Sequence, residues 1–74
     1  MKYITAETAN MAQLYAGLNS LHWHQITART LSAAKAVAQR NRMFQRTLAH
    51  VAFVSDKGIQ LLSSRINGVW VDTQ

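Results

Sequence analysis

Three histidines, three carboxylates and an adjacent pair of serines are the side chains of this 74-residue sequence whose types suit chemistry. His22 and His24 stand two apart in a strand-like run, so they share a face and can hold a metal ion between them. Structural zinc needs four ligands. With no Cys in the chain only His50 can be added, so two histidines at a half-exposed sheet rim account better for the pair. The carboxylates Glu7, Asp56 and Asp72 are scattered over the N-terminal segment, a turn and the C-terminal end, and no two have a spacing suited to acid–base work. Ser63-Ser64 offers hydroxyls, but a nucleophile needs a base and the base an orienting partner. Adjacent serines in a strand read as plain sheet residues. The three isolated glycines build no phosphate-cradling loop. The expectation is no enzyme, no metal and no cofactor, with the function carried by binding.

Charge indicates what is bound. Eight Lys and Arg against three Asp and Glu give a net charge of +5. Arg29, Lys35, Arg40, Arg42 and Arg46 occupy an acid-free stretch and are the candidate partner-binding residues. Such a surface suits a polyanion, either nucleic acid or an acidic protein face, and argues against mimicry of DNA. It is equally what a solvated, solubilising surface looks like. Trp23 and Trp70 are candidate aromatic anchors. Base stacking on strands calls for several aromatics at set spacing, and this chain has few.

The elements that must position these residues follow from pattern. The length fits one domain, residues 1–74, with a thin core, since a chain this small buries roughly 60–65% of its unfolded surface. Lys2-Tyr3-Ile4-Thr5 suits a short strand within Met1 to Thr5. Met11, Leu14, Tyr15 and Leu18 form a helical stripe, broken by Gly17 and followed by an Asn19-Ser20 turn. The spacing favours a short helix within Glu7 to Ala16, and a strand across Gln13 to Leu18 is the alternative. His22 to Ala28 reads as a strand. Thr30 is the expected N-cap of the main helix, in which Leu31, Ala34, Val37 and Ala38 share a side. Its small residues permit close approach to a sheet, and its end is expected near Asn41 to Met43. Thr47 to Val54, a turn at Asp56-Lys57-Gly58, Ile59 to Ile66 and Val69 to Val71 make an antiparallel meander, closed by a type I′ turn at Asn67-Gly68. The fold class is α+β: a thin antiparallel sheet of three to five strands covered by one main helix, with a second short N-terminal helix possible. No apolar run reaches bilayer-spanning length and no signal peptide is evident, so a soluble intracellular protein is expected.

Two pieces of the chain resemble small phage-encoded anti-CRISPR proteins, specifically a short basic inhibitor of the type I-F surveillance complex. One is Leu31-Ser32-x-Ala34-Lys35-x-x-Ala38. The other is Asn67-Gly68-x-Trp70 with the ending Trp70-Val71-Asp72-x-Gln74. In that family the Asn-Gly-x-Trp turn and the Trp-Val-Asp-x-Gln ending are separate elements, whereas here they are fused, and the N-terminal third has no counterpart. The resemblance implies a wedge that works in the host cytoplasm. It would bind the backbone subunits of a guide-RNA complex, a host ribonucleoprotein, and block pairing of target DNA with the guide, with possible non-specific nucleic-acid contact. It transfers no contact residues. The alternatives are a nucleic-acid-binding module acting directly, or an inhibitor of another host enzyme such as RNA polymerase or a nuclease. No membrane or small-molecule substrate is expected.

Overall fold

A computed structural model describes residues 2–43 and 46–73. The strand expected from Met1 and the ending that includes Gln74 therefore fall partly outside the described residues. The elements run β1 (Tyr3–Thr8), α1 (Met11–Ala16), β2 (His24–Gln25), α2 (Leu31–Arg40), β3 (Leu48–Ser55), β4 (Gly58–Ile66) and β5 (Val69–Asp72). The strands form one antiparallel sheet in the order β2-β1-β3-β4-β5. This is the α+β architecture the residue pattern calls for, with α2 as the main helix.

Strand alternation and register divide the sheet into two faces. On the first, Tyr3, Thr5 and Glu7 stand opposite Phe53, Val51 and Ala49. Ser63 and Arg65 continue that face across β4, and Asp72 and Trp70 complete it on β5. Helix α2 covers it. Tyr3, Ala34, Ala38 and Val51 are its buried centre, with Ile26, Ala28, Leu31, Leu62 and Trp70 packed around them. A bulge between Val51 and Ala52 leaves Leu62 without a cross-strand partner, and Leu62 joins this core. Ala34 and Ala38 are buried because only a side chain of that size lets α2 approach the sheet closely.

The second face carries Ile4, Ala6, Thr8, His50, Ala52 and Ser64, all buried. The Thr8 hydroxyl donates to the Asn10 carbonyl at 3.1 Å, which draws the head of α1 to this face. Asn10 caps α1 by accepting from the Gln13 amide at 2.8 Å, and Gln13 Oε1 accepts from the Ala9 amide at 2.8 Å. This reciprocal pairing resembles a capping box and stabilises a helix of only six residues. Leu14 of α1 is completely buried.

The last three strands shift by single residues from the sequence reading, and three boundaries before them also differ. β1 runs on to Thr8, because Ala6 and Thr8 fill the second face while Glu7 turns to the first. The strand expected over His22 to Ala28 contracts to His24 and Gln25, after which the Ile26 N–H donates a hydrogen bond to the Tyr3 carbonyl at 3.1 Å. Ile26 and Ala28 pack on the helix side of the core instead of extending the ladder. Helix α2 ends at Arg40, with the Asn41 amide still bonded to the Val37 carbonyl. Thr30 caps it as expected, accepting from the Ala33 amide at 3.1 Å. Asn67 and Gly68 both have positive φ, 51° and 80°, as a type I′ turn requires.

Candidate functional site

Two of the three carboxylates, Glu7 and Asp72, are committed to structure, while Asp56 is exposed in the β3–β4 turn. Glu7 accepts from the Met43 amide at 3.0 Å through one oxygen and from the Thr47 hydroxyl through the other. It thereby fastens both ends of the segment after α2 to β1. Asp72 accepts from Lys35 Nζ at 2.7 Å and from the Ser63 hydroxyl at 2.8 Å. These two donors hold the Asp72 carboxyl below the usual carboxylate range. Lys35 also lies 5.9 Å from the centroid of the Trp70 ring.

Lys35 is one of the candidate partner-binding residues. It does not stand free on the outer side of α2: its side chain is 21% exposed and bridges α2 to β5. The other four cations are placed differently. Arg29 is exposed just ahead of the Thr30 cap, and Arg40 is exposed at the last position of α2. Arg42 is half-buried just ahead of the segment Glu7 fastens, and Arg46 is exposed within it. Arg46 has φ of 62°, the left-handed region that a non-glycine residue seldom occupies. The cations group around the two ends of α2 instead of forming one pocket.

Between the C-terminal end of α2 and the β2–β1 edge lies a cavity of about 440 Å3. Its polar lining includes Arg42, His22, His24, Gln25 and Glu7, and its apolar lining includes Ala38, Ile26 and Met43. The two exposed histidines thus meet Arg42 at one cavity. The described residues contain no group of three metal-ligating side chains. His50, the third histidine, lies on the opposite face.

His50 is what sequence reasoning missed. It is fully buried, with Nε2 2.6 Å from the Thr8 hydroxyl and Nδ1 2.7 Å from the Ser64 hydroxyl. The Thr8 proton is directed at the Asn10 carbonyl. Thr8 therefore accepts from Nε2–H, and Nδ1 accepts from Ser64. Burial pushes the His50 pKa down to about 4, so the ring is neutral at pH 7. A Ser–His hydrogen bond resembles part of a nucleophilic site, but both residues are sealed from any substrate. The available signal was a histidine and two hydroxyl residues at positions where alternation demands buried side chains.

The tryptophans are also engaged. The Trp23 indole N–H donates to the Leu18 carbonyl at 2.8 Å, and the half-buried ring precedes β2. Trp70 is half-buried against the α2 core. No helix of the described residues is long and apolar enough to cross a membrane. Comparison of the chain with protein-family models, with curated proteins and with solved structures finds no match.

Proposed function

We propose that this protein is a non-catalytic inhibitor of phage origin that acts in the host cytoplasm by binding a ribonucleoprotein defence complex. A type I CRISPR surveillance complex, whose pairing with target DNA it blocks, is the specific candidate. The observation that carries the reading is the division of labour among charges. Glu7 and Asp72 serve the fold, while Arg29, Arg40 and Arg46 stand exposed around α2 and Arg42 borders the cavity. The unbalanced positive field suits a partner rich in phosphate or carboxylate. The choice of complex rests on the resemblance in the α2 start and the Asn67-Gly68-x-Trp70 hairpin. The buried state of the Ser64–His50 pair supports action by binding over action by chemistry.

A tagged surveillance complex, incubated with excess protein and then offered target DNA, tests the proposal. Co-purification and loss of target binding are expected. Unimpaired target binding with the protein in excess refutes it. The spread of the exposed cations over both ends of α2 favours one second reading, direct binding to nucleic acid. That reading requires retention of plain duplex DNA at low salt, with affinity falling steeply as salt rises.

A further inference from the structure

The two edges of the sheet are unequal. β2 presents two residues, a length that blunts edge pairing. β5 presents four, Val69-Trp70-Val71-Asp72, with no Pro, Lys or Arg among them. The Thr73 amide donates inward to the Leu62 carbonyl at 2.8 Å, which fixes the phase of the β4–β5 ladder. Residues of an antiparallel strand turn their backbone groups alternately toward and away from one neighbour. Val69 and Val71 therefore face β4, and the N–H and C=O groups of Trp70 and Asp72 face the open edge. Beside that edge the second face of the sheet is apolar and uncovered. Val69 is 62% exposed, and Val71 and Val54 are each 51% exposed. Ile59, Leu61 and Ile66 are half-buried between them.

We propose that two copies of this chain pair through β5, antiparallel and edge to edge, with the two-fold axis between their Val71 residues. The self-complementarity of β5 singles out a second copy as the occupant. Same-face residues of two identical antiparallel strands stand opposite only when the register is centred on a residue. Centring on Val71 sets Trp70 opposite Asp72 of the second copy, and by symmetry the reverse. All four outward-facing backbone groups of each β5 then find partners. Centring on Trp70 instead leaves Asp72 opposite the turn residue Gly68. Charge agrees with the Val71 register. Lys35 already sits over Trp70, so the carboxylate of the second copy's Asp72 arrives beside it, and each Lys35 lies near two carboxylates. Arg29, Arg40, Arg42 and Arg46 belong to other parts of the chain, and the cations beside this edge, Lys35 and the Arg65 opposite Trp70 on β4, lie on the same face as the Asp72 carboxylates. Val71 meets Val71, and the apolar strip continues from one sheet to the next. A two-fold axis perpendicular to the sheet keeps both α2 helices on one side. This inference does not rest on the proposed function.

Sedimentation velocity over a wide concentration range, with hydrogen exchange of the wild-type chain, tests it. A monomer–dimer equilibrium is expected. The Trp70 and Asp72 amides are expected to be protected in concentrated solution and exposed on dilution, while the Val69 and Val71 amides stay protected throughout. Val71→Lys sets two like charges opposite each other at the axis and is expected to raise the dimer dissociation constant by at least about tenfold. If that variant does not fold, the wild-type exchange pattern decides. A monomer at every concentration overturns the proposal. So does a dimer in which the Trp70 and Asp72 amides remain unprotected.

Discussion

His50 shows how one residue can set the pH behaviour of a small fold. Its ring joins Thr8 on β1 to Ser64 on β4 through the middle of the sheet, and only the neutral form fits. In the unfolded chain a histidine titrates near its ordinary value of 6.5, whereas in the fold the value is about 4. Between these two values the unfolded state binds the extra proton, so stability rises with pH across that window. The contribution is complete above the unfolded value and lost as pH falls toward the folded one, amounting to up to about 3 kcal/mol. Urea denaturation at a series of pH values is expected to show a plateau near neutrality and a fall on the acid side. Asp72, whose carboxyl is held low, adds a further loss only at still lower pH. In His50→Leu the fall between neutrality and mild acid should vanish. The Thr8 and Ser64 hydroxyls would lose their ring partner, at a cost of roughly 1–3 kcal/mol. A wild-type stability that is flat through mild acid would contradict the assignment of His50 as buried and neutral.

At the scale of elements, α2 lies close to the sheet because Ala34 and Ala38 face it. Ala34 is completely buried, so Ala34→Leu is expected to overpack the core by roughly 1–3 kcal/mol. Ala38 borders the cavity and tolerates enlargement better. Equal melting temperatures for the Ala34→Leu variant and the wild type would mean that the helix does not dock as described. In the last hairpin the constraint is backbone conformation and not space, since a Cβ on Gly68 would come only to 3.7 Å from Arg65. Gly68→Val is expected to cost more than Gly68→Ala, which itself costs about 1 kcal/mol, because a β-branched residue resists positive φ most. Chemical denaturation of the pair checks the order, and equal stabilities would argue against the turn type. These elements were legible in the sequence because each carries a local signal: a Thr cap before an apolar stripe, and Asn-Gly between β-rich runs. The N-terminal half was less legible. Ala6 to Thr8 carry no strong β signal and are held in the ladder by β3, a partner some forty residues away in sequence. The stretch His22 to Ala28 has strand composition, but after Gln25 the chain turns its apolar residues into the helix-side core. The candidate site was legible as a set of cations and not as an arrangement. Nothing local in the sequence marks Lys35 as the partner of Asp72.

At the scale of the whole molecule, the fold engages Glu7, Asp72 and Lys35 internally and leaves Arg29, Arg40 and Arg46 exposed. Four of the eight cations, Arg29, Arg40, Arg42 and Arg46, thereby group around the ends of α2. A protein partner concentrates binding energy in a few anchors, whereas a phosphate-tracking surface spreads it. Under the proposed function the arginines act on the partner and Lys35 acts on the fold. The most direct test changes Arg29, Lys35, Arg40, Arg42 and Arg46 to Ala one at a time. Each variant is then measured for thermal stability, for binding to the type I surveillance complex and for binding to plain duplex DNA. One or two of the arginine variants are expected to lose complex binding strongly at unchanged melting temperature, while Lys35→Ala lowers the melting temperature. If all four arginine variants bind the complex as the wild type does, that division of roles is contradicted and the basic face is only a solvated surface.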